Sequence, residues 1–238
     1  MRALGASLLA VAATAATAQS VVIEQTGPRQ QAELTLAAIT QVQLRMSGED
    51  NRIVLRQSAD GPGQLRANLL IDGQRNGLDS PAIVQSGQDI ELTLAVAGES
   101  HNWQISQQGP GGLSARLIQQ GEAHRLWLDQ RTLVPEAQGT VLLQQIGSGH
   151  EAWLGQTTSA GSNRIRLQQT GKDHLARVEQ YGDDNFVSAD QLGSGNEFQV
   201  AQYGKGNEAV LVQDGNHLIA PRVEQYGGMQ VLIQQYAP

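Results

Sequence analysis

Residues 169–213 read QTGKDHLARVE, QYGDDNFVSAD, QLGSGNEFQVA and QYGKGNEAVLV, closed by Gln213. Every segment opens Gln-x-Gly-x-x, places His or Asn at its sixth position, and hands over to the next without a linker. A short fixed period with no spacer means that each unit stacks on its neighbours, so the fold and the function both lie in the stack. The side chains then sort by parity. Asn196, Phe198, Val200 and Gln202 share one parity, and Glu197, Gln199 and Ala201 take the other. Ile53 and Leu55, Leu126 and Leu128, and Ile165 and Leu167 repeat that alternation elsewhere. Period two marks a strand with one buried face, and the Gln-x-Gly-x-x run supplies the bend. Two eleven-residue units make one strand-turn-strand-turn coil. The expected fold is all-β: a β-solenoid of roughly eight coils, about 40 Å long at a strand spacing of about 4.8 Å.

Upstream, the same spelling loosens. Met46-x-Gly48-x-x-Asn51, Val96-x-Gly98-x-x-His101, Gln119-x-Gly121-x-x-His124 and Gln145-x-Gly147-x-x-His150 keep the spacing. Gly, Pro and Ser insertions at 60–63, 110–112, 135 and 159–162 belong in turns that loop outward. The stretch from Gly61 to Pro81 is the least regular, and Leu36 to Gln43 lacks the glycine. Residues 19–238 therefore read as one domain, most regular over 145–213. Residues 1–18 read as a signal peptide: Arg2, a short apolar run, then the small-x-small triplet Ala16-Thr17-Ala18 before Gln19. An exported chain without cysteine has no disulfide to staple it, so stacking has to supply the stability.

Polar residues on the buried face need partners. Gln145, Gln156, Gln169, Gln180, Gln191, Gln202 and Gln213 fall where each amide sits above another amide, which allows bonding up a column. The competing reading, solvated turn glutamines, conflicts with their parity. Asn163, Asn185 and Asn207 are expected on one edge; His101, His124, His150 and His174 on the other, in the slot that Asn196 fills next. A histidine column could bind a transition metal, could stop stacking when protonated near pH 6, or could simply replace the amide as a hydrogen-bonding corner. Gly147, Gly171, Gly182, Gly193, Gly204, Gly215 and Gly227 are the turn positions. Tyr181, Tyr203 and Tyr226 should form an edge column, Trp127 and Trp153 should face outward, and Trp103 inward.

Gln-x-Gly-x-x-Asn-x-Ala-x-x-x-Gln, complete in residues 202–213, resembles the curlin repeat of bacterial curli subunits, and the Gln-Tyr-Gly starts at Gln180, Gln202 and Gln225 add to the likeness. The resemblance implies secreted subunits that self-assemble with their own kind and with other curlin subunits into functional amyloid fibres of the biofilm matrix. It also implies passage through an outer-membrane curli secretion channel while unfolded. Curli subunits carry a Gly- and Asn-rich targeting segment after the signal peptide, whereas here only Gln19 to Glu24 precede the first repeat-like Gln25.

Other classes find less support. A net charge of -7 without a basic stripe argues against nucleic acid, and no stretch is long enough for a membrane span. Neither a cofactor motif nor a catalytic order of Ser, His and Asp occurs, and the acids are scattered over outward positions, so an enzyme of the β-helix type is the remote rival. The final strand, Val231 to Tyr236, carries an apolar face with no cap behind it, as expected of a fibre subunit; a surface adhesin that does not polymerise is the alternative.

Overall fold

The computed structural model describes residues 8–13, 20–28, 30–36, 41–58, 64–79 and 82–237, and among them there is no helix. All strand pairs are parallel. A ten-stranded sheet runs, in order, through Leu8–Ala13, Gln31–Leu36, Arg52–Gln57, Ala82–Gln85, Asn102–Gln107, Arg125–Thr132, Glu151–Thr158, Leu175–Asp183, Glu197–Lys205 and Val223–Tyr226. A six-stranded sheet faces it, built from Gln119–Glu122, Gln138–Ser148, Ser162–Lys172, Phe186–Ser194, Glu208–Asn216 and Gln230–Tyr236. From Gln119 onward the chain alternates between the two, each turn of the β-solenoid taking one strand from either sheet; upstream, Leu65–Arg66 and Ile90–Glu91 pair as a separate two-stranded sheet. Leu8–Ala13, within the segment that reads as a signal peptide, pairs in register with Gln31–Leu36; the expected cleavage site at Ala18–Gln19 lies outside the described residues.

Register follows the repeat. Gln180 lies on Gln202, Tyr181 on Tyr203 and Gly182 on Gly204. On the opposite sheet Gln169 lies on Gln191 and Gly171 on Gly193, then Gln191 on Gln213 and Gly193 on Gly215. A slip of one residue would turn every buried side chain outward. Insertions disturb none of this. The loop at Ser159–Ser162 bulges outward, and its Ser159, Ala160 and Gly161 N–H groups donate to Asp183 Oδ1 on the next turn at 2.8–2.9 Å. Those three donors hold the Asp183 carboxyl below the ordinary carboxylate range.

The interior is a narrow, continuous core running the length of the stack, with Leu34, Ile53, Leu55, Ile83, Trp103 and Phe198 almost fully enclosed. Aliphatic pairs line up along the axis, Ile165 on Val187 on Ala209 for example, so each turn buries apolar surface against the turns above and below. The outer faces carry the charge. Arg75 bonds Glu99 at 3.0 Å and Arg125 bonds Glu151 at 2.9 Å, both between adjacent turns and both exposed. Exposed pairs of this kind contribute little, on the order of 0–1 kcal/mol each.

Turn glycines are required by geometry at the corners. Gly193 has φ +110°, and a Cβ there would collide with the Gly215 carbonyl oxygen of the next turn. Gly155, midway along an outward face, has its nearest neighbour at 3.9 Å. Gly193→Ala is therefore expected to destabilise the chain by more than the roughly 1–2 kcal/mol of a left-handed alanine. Gly155→Ala should leave the denaturant midpoint nearly unchanged. Equal midpoints for the two variants would refute this account of the corners.

Candidate functional site: buried ladders of amides and imidazoles

Two glutamine columns stand inside the solenoid, one behind each sheet. In the first, the Nε2 of Gln130 donates to Oε1 of Gln156, that of Gln156 to Gln180, of Gln180 to Gln202, and of Gln202 to Gln225, at 2.7–2.8 Å. In the second, Gln145, Gln169, Gln191, Gln213 and Gln235 follow the same rule at 2.8–2.9 Å. Every one of these residues except Gln235 is buried. The second Nε2 hydrogen reaches across the coil to a backbone carbonyl: Gln180 to Arg164, Gln191 to Leu175, Gln202 to Phe186 and Gln213 to Glu197, at 3.0–3.3 Å. One amide thus ties its turn to the next and ties the two sheets together.

The columns weaken toward the N-terminus. Register places Gln25, Met46, Ile71, Val96 and Gln119 in the second glutamine slot, so three apolar rungs interrupt it. Gln25 and Gln119, which flank the gap, each leave both amide atoms buried without a protein partner. Left-handed backbone coincides with the gap: Asn68 to Ile71 and Leu94 to Ala97 all have positive φ, and so do Arg116 to Ile118 in the rung beyond. Regular strands of the six-stranded sheet begin only at Gln119, where glutamine returns. Without an amide to match, an apolar slot does not oppose a slip of two residues, which keeps the same face buried.

At the corners a second pair of ladders runs beside the glycines. Asn51, Asn76, His101, His124, His150, His174 and Asn196 share one edge; Asn163, Asn185 and Asn207 share the other. The rule is common to both. Each backbone N–H donates to the side-chain acceptor one turn back, as from Asn185 to Asn163 Oδ1 at 3.0 Å and from Asn207 to Asn185 at 3.1 Å. Histidine obeys it through Nδ1, which accepts the N–H of His124, His150, His174 and Asn196 in turn at 3.2–3.4 Å. Its Nε2 bonds the carbonyl four residues back, that of Gln120, Ile146 or Thr170, at 2.7–3.0 Å. Asn196 Nδ2 bonds the Leu192 carbonyl in the same way at 2.9 Å. Imidazole therefore takes over two of the carboxamide's bonds, without the second donor that Asn196 Nδ2 gives to the Gly215 carbonyl at 3.0 Å, and the pattern is that of the neutral tautomer protonated on Nε2.

The four rings stack at 4.8–4.9 Å. Both nitrogens of each are committed, so a metal ion could enter only by breaking the ladder. Among the described residues no group of three or more His, Cys, Asp or Glu converges as a metal site. The expectation of protonation near pH 6 also changes. Burial above all, then the neighbouring imidazoles, lowers His124 and His150 to about 4; burial lowers His101 and His174 as well.

Gly147, Gly171, Gly182, Gly204 and Gly215 share the positive φ of Gly193, and Gly227 has φ +70° with open space beyond it. Tyr181, Tyr203 and Tyr226 stack at 5.6 and 5.3 Å along one edge, and Trp127 stacks on Trp153 at 4.7 Å on the outward face. Trp103 is core. Asn76 and Gly73, in the stretch that reads as irregular, belong to the same ladders: Asn76 accepts from His101 N–H and donates to Gly98 O, both at 3.0 Å. The spacing Ile71-x-Gly73-x-x-Asn76 is the signal that identifies them.

These features define a parallel β-solenoid whose turns are keyed by internal amide and imidazole ladders. The family described as Curlin associated repeat matches residues 161–193 and 171–204, the turns in which the ladders are most regular. No curated protein and no solved structure matches the chain.

Two outcomes are expected. Gln191→Leu strands the Gln169 donor and the Gln213 acceptor, at a cost of about 1–3 kcal/mol for each buried group, read from the denaturant midpoint; a neutral effect would mean the ladder is ornamental. The pH dependence has a definite sign. The folded histidines are neutral, so the unfolded chain binds more protons as pH falls through 6.5, and stability declines from there to about 4. The slope is at most about 1.4 kcal/mol per pH unit for each histidine, and His150→Asn should reduce it. Equal stability at pH 7.5 and pH 5 would contradict that assignment.

Proposed function

We propose that this chain is a secreted structural subunit that self-assembles into curli-type amyloid fibres, serving cell adhesion and the biofilm matrix. The observation that carries the reading is the ladder itself. Each turn presents to the next the backbone groups, amides and corner acceptors that it received from the turn before, so a second copy meets the same chemistry as an internal turn. Val223–Tyr226 and Gln230–Tyr236 are the last strands of their sheets among the described residues, with Gln225 and Gln235 in the glutamine slots. The family match supports a structural role, and assembly takes the place of catalysis as the activity.

In this reading residues 1–18 are removed at the cell envelope, and the chain leaves through curli-type outer-membrane machinery. Removal would also take away Leu8–Ala13 and leave Gln31–Leu36 as the edge of the long sheet. Partners are further copies and other curlin subunits, with no cofactor. No helix among the described residues is long and apolar enough to cross a membrane.

The test is dilution of the chain from Gln19 out of denaturant at neutral pH, followed by thioflavin fluorescence with and without preformed seeds. A seeded rise, with fibre reflections near 4.8 and about 10 Å, is expected. A β-rich particle whose size is independent of concentration and that ignores seeds would sink the fibre reading and favour a surface adhesin.

A further inference from the structure

Cysteine is absent from this chain, so disulfide chemistry cannot lock its turns together. The tyrosine column offers another covalent route. Tyr181, Tyr203 and Tyr226 occupy one register position in three successive turns of the long sheet. Their rings lie nearly parallel, 6° between the first two and 15° between the last two, with centroids 5.6 and 5.3 Å apart. Stacking in register places the rings of adjacent turns beside one another, so the carbons ortho to the hydroxyls that would join belong to neighbouring rings. Tyr181 is 44% exposed and Tyr226 64% exposed, which admits an oxidant. At Tyr226 the hydroxyl donates to Glu224 Oε2 at 3.2 Å, so a carboxylate stands ready to take the phenolic proton.

We propose that this column is an oxidative cross-linking site, at which a haem peroxidase with hydrogen peroxide joins Tyr203 to Tyr226 or to Tyr181 as dityrosine. Each of two neighbouring phenols gives up one electron and its hydroxyl proton. The two radicals couple through a carbon–carbon bond between ring positions ortho to the oxygens. The hydrogens displaced from those carbons move to the oxygens and restore both phenols. In sum two electrons and two protons leave the pair and reduce one peroxide to two waters. Tyr203 lies in the middle and is shared by both pairings. Trp127 and Trp153, stacked on the same outward face of the long sheet, carry no phenol, so dityrosine reports on tyrosines alone. Met229, whose Sδ sits 3.4 Å from the Tyr226 nitrogen, would consume oxidant as sulfoxide, a gain of oxygen that mass separates from the loss of two hydrogens. The proposal rests on the stacking of turns within one copy and stands whether or not copies assemble.

The experiment treats the folded full chain with horseradish-type peroxidase and hydrogen peroxide. It follows dityrosine fluorescence and maps the linked peptides by mass spectrometry. The expected result is a loss of two hydrogens per link, with Tyr203 in every intramolecular link. Tyr203→Phe should abolish those links while keeping the ring stack. Tyr226→Phe should leave only the Tyr181–Tyr203 link, and denaturant should abolish the preference. Undiminished dityrosine in Tyr203→Phe, links dominated by Tyr236, or an identical pattern in the denatured chain would each overturn the assignment. Circular dichroism of each variant is the control: a β-rich spectrum is required, so that loss of fold cannot stand in for loss of the phenol.

Discussion

A carboxamide removed from water must find a partner for each hydrogen and each lone pair, and unpaired it costs several kcal/mol. Here the partner is another carboxamide one turn away. That requirement dictates a parallel arrangement, an unbroken period and a common register, because only a stack of like turns puts amide over amide at strand spacing. Apolar burial provides the driving force, as in any core, and it forbids a slip of one residue, yet a slip of two keeps Ile, Val, Leu and Ala on the buried face. The glutamines at 169, 191 and 213 do not allow it, since a slipped turn would set an amide against a methyl group.

The upstream turns show the converse. Met46, Ile71 and Val96 occupy the glutamine slot, and at the last two of these rungs the backbone turns left-handed and the strands lapse. Bulky residues in that conformation cost about 1–2 kcal/mol each, so this region stores strain that the C-terminal turns lack. Continuity survives there through the opposite sheet, whose Gln57, Gln85 and Gln107 stay in register, and through the corner ladder from Asn51 to His174.

Fold class and turn composition were legible in the spacing, as were the columns where the period is unbroken, because a short period leaves its mark at every repeat. Asn76 was hidden by a different cause. The insertions on either side of it break the count, and local spelling has to be read without the frame. The chemistry of the histidines was legible only as a slot. That Nδ1 stands for Oδ1 and Nε2 for Nδ2 depends on a carbonyl four residues back and an N–H one turn on. Burial then carries His124 and His150 down to about 4, a shift that no sequence position reveals. The cross-coil bond from Gln180 to the Arg164 carbonyl was likewise unreadable, since its acceptor lies sixteen residues back on the other sheet.

That cross-coil bond decides the direction of the ladder. An amide column alone could run with its nitrogens toward either end at equal energy. In the first column, from Gln156 onward, one Nε2 hydrogen is held by a carbonyl of the opposite sheet, and there every donor points toward the C-terminal turn. Gln130 and Gln107 have no such tie. Gln107 donates backward to Gln85, while Gln130 donates forward to Gln156, and the Oε1 atoms of both are left without a partner. The fault falls at the upstream limit of the carbonyl anchors, which is where an unanchored ladder is free to reverse. Polarity in this solenoid is therefore imposed by the backbone of the facing sheet and relayed by the glutamines, and any turn added to the anchored end inherits the same sense.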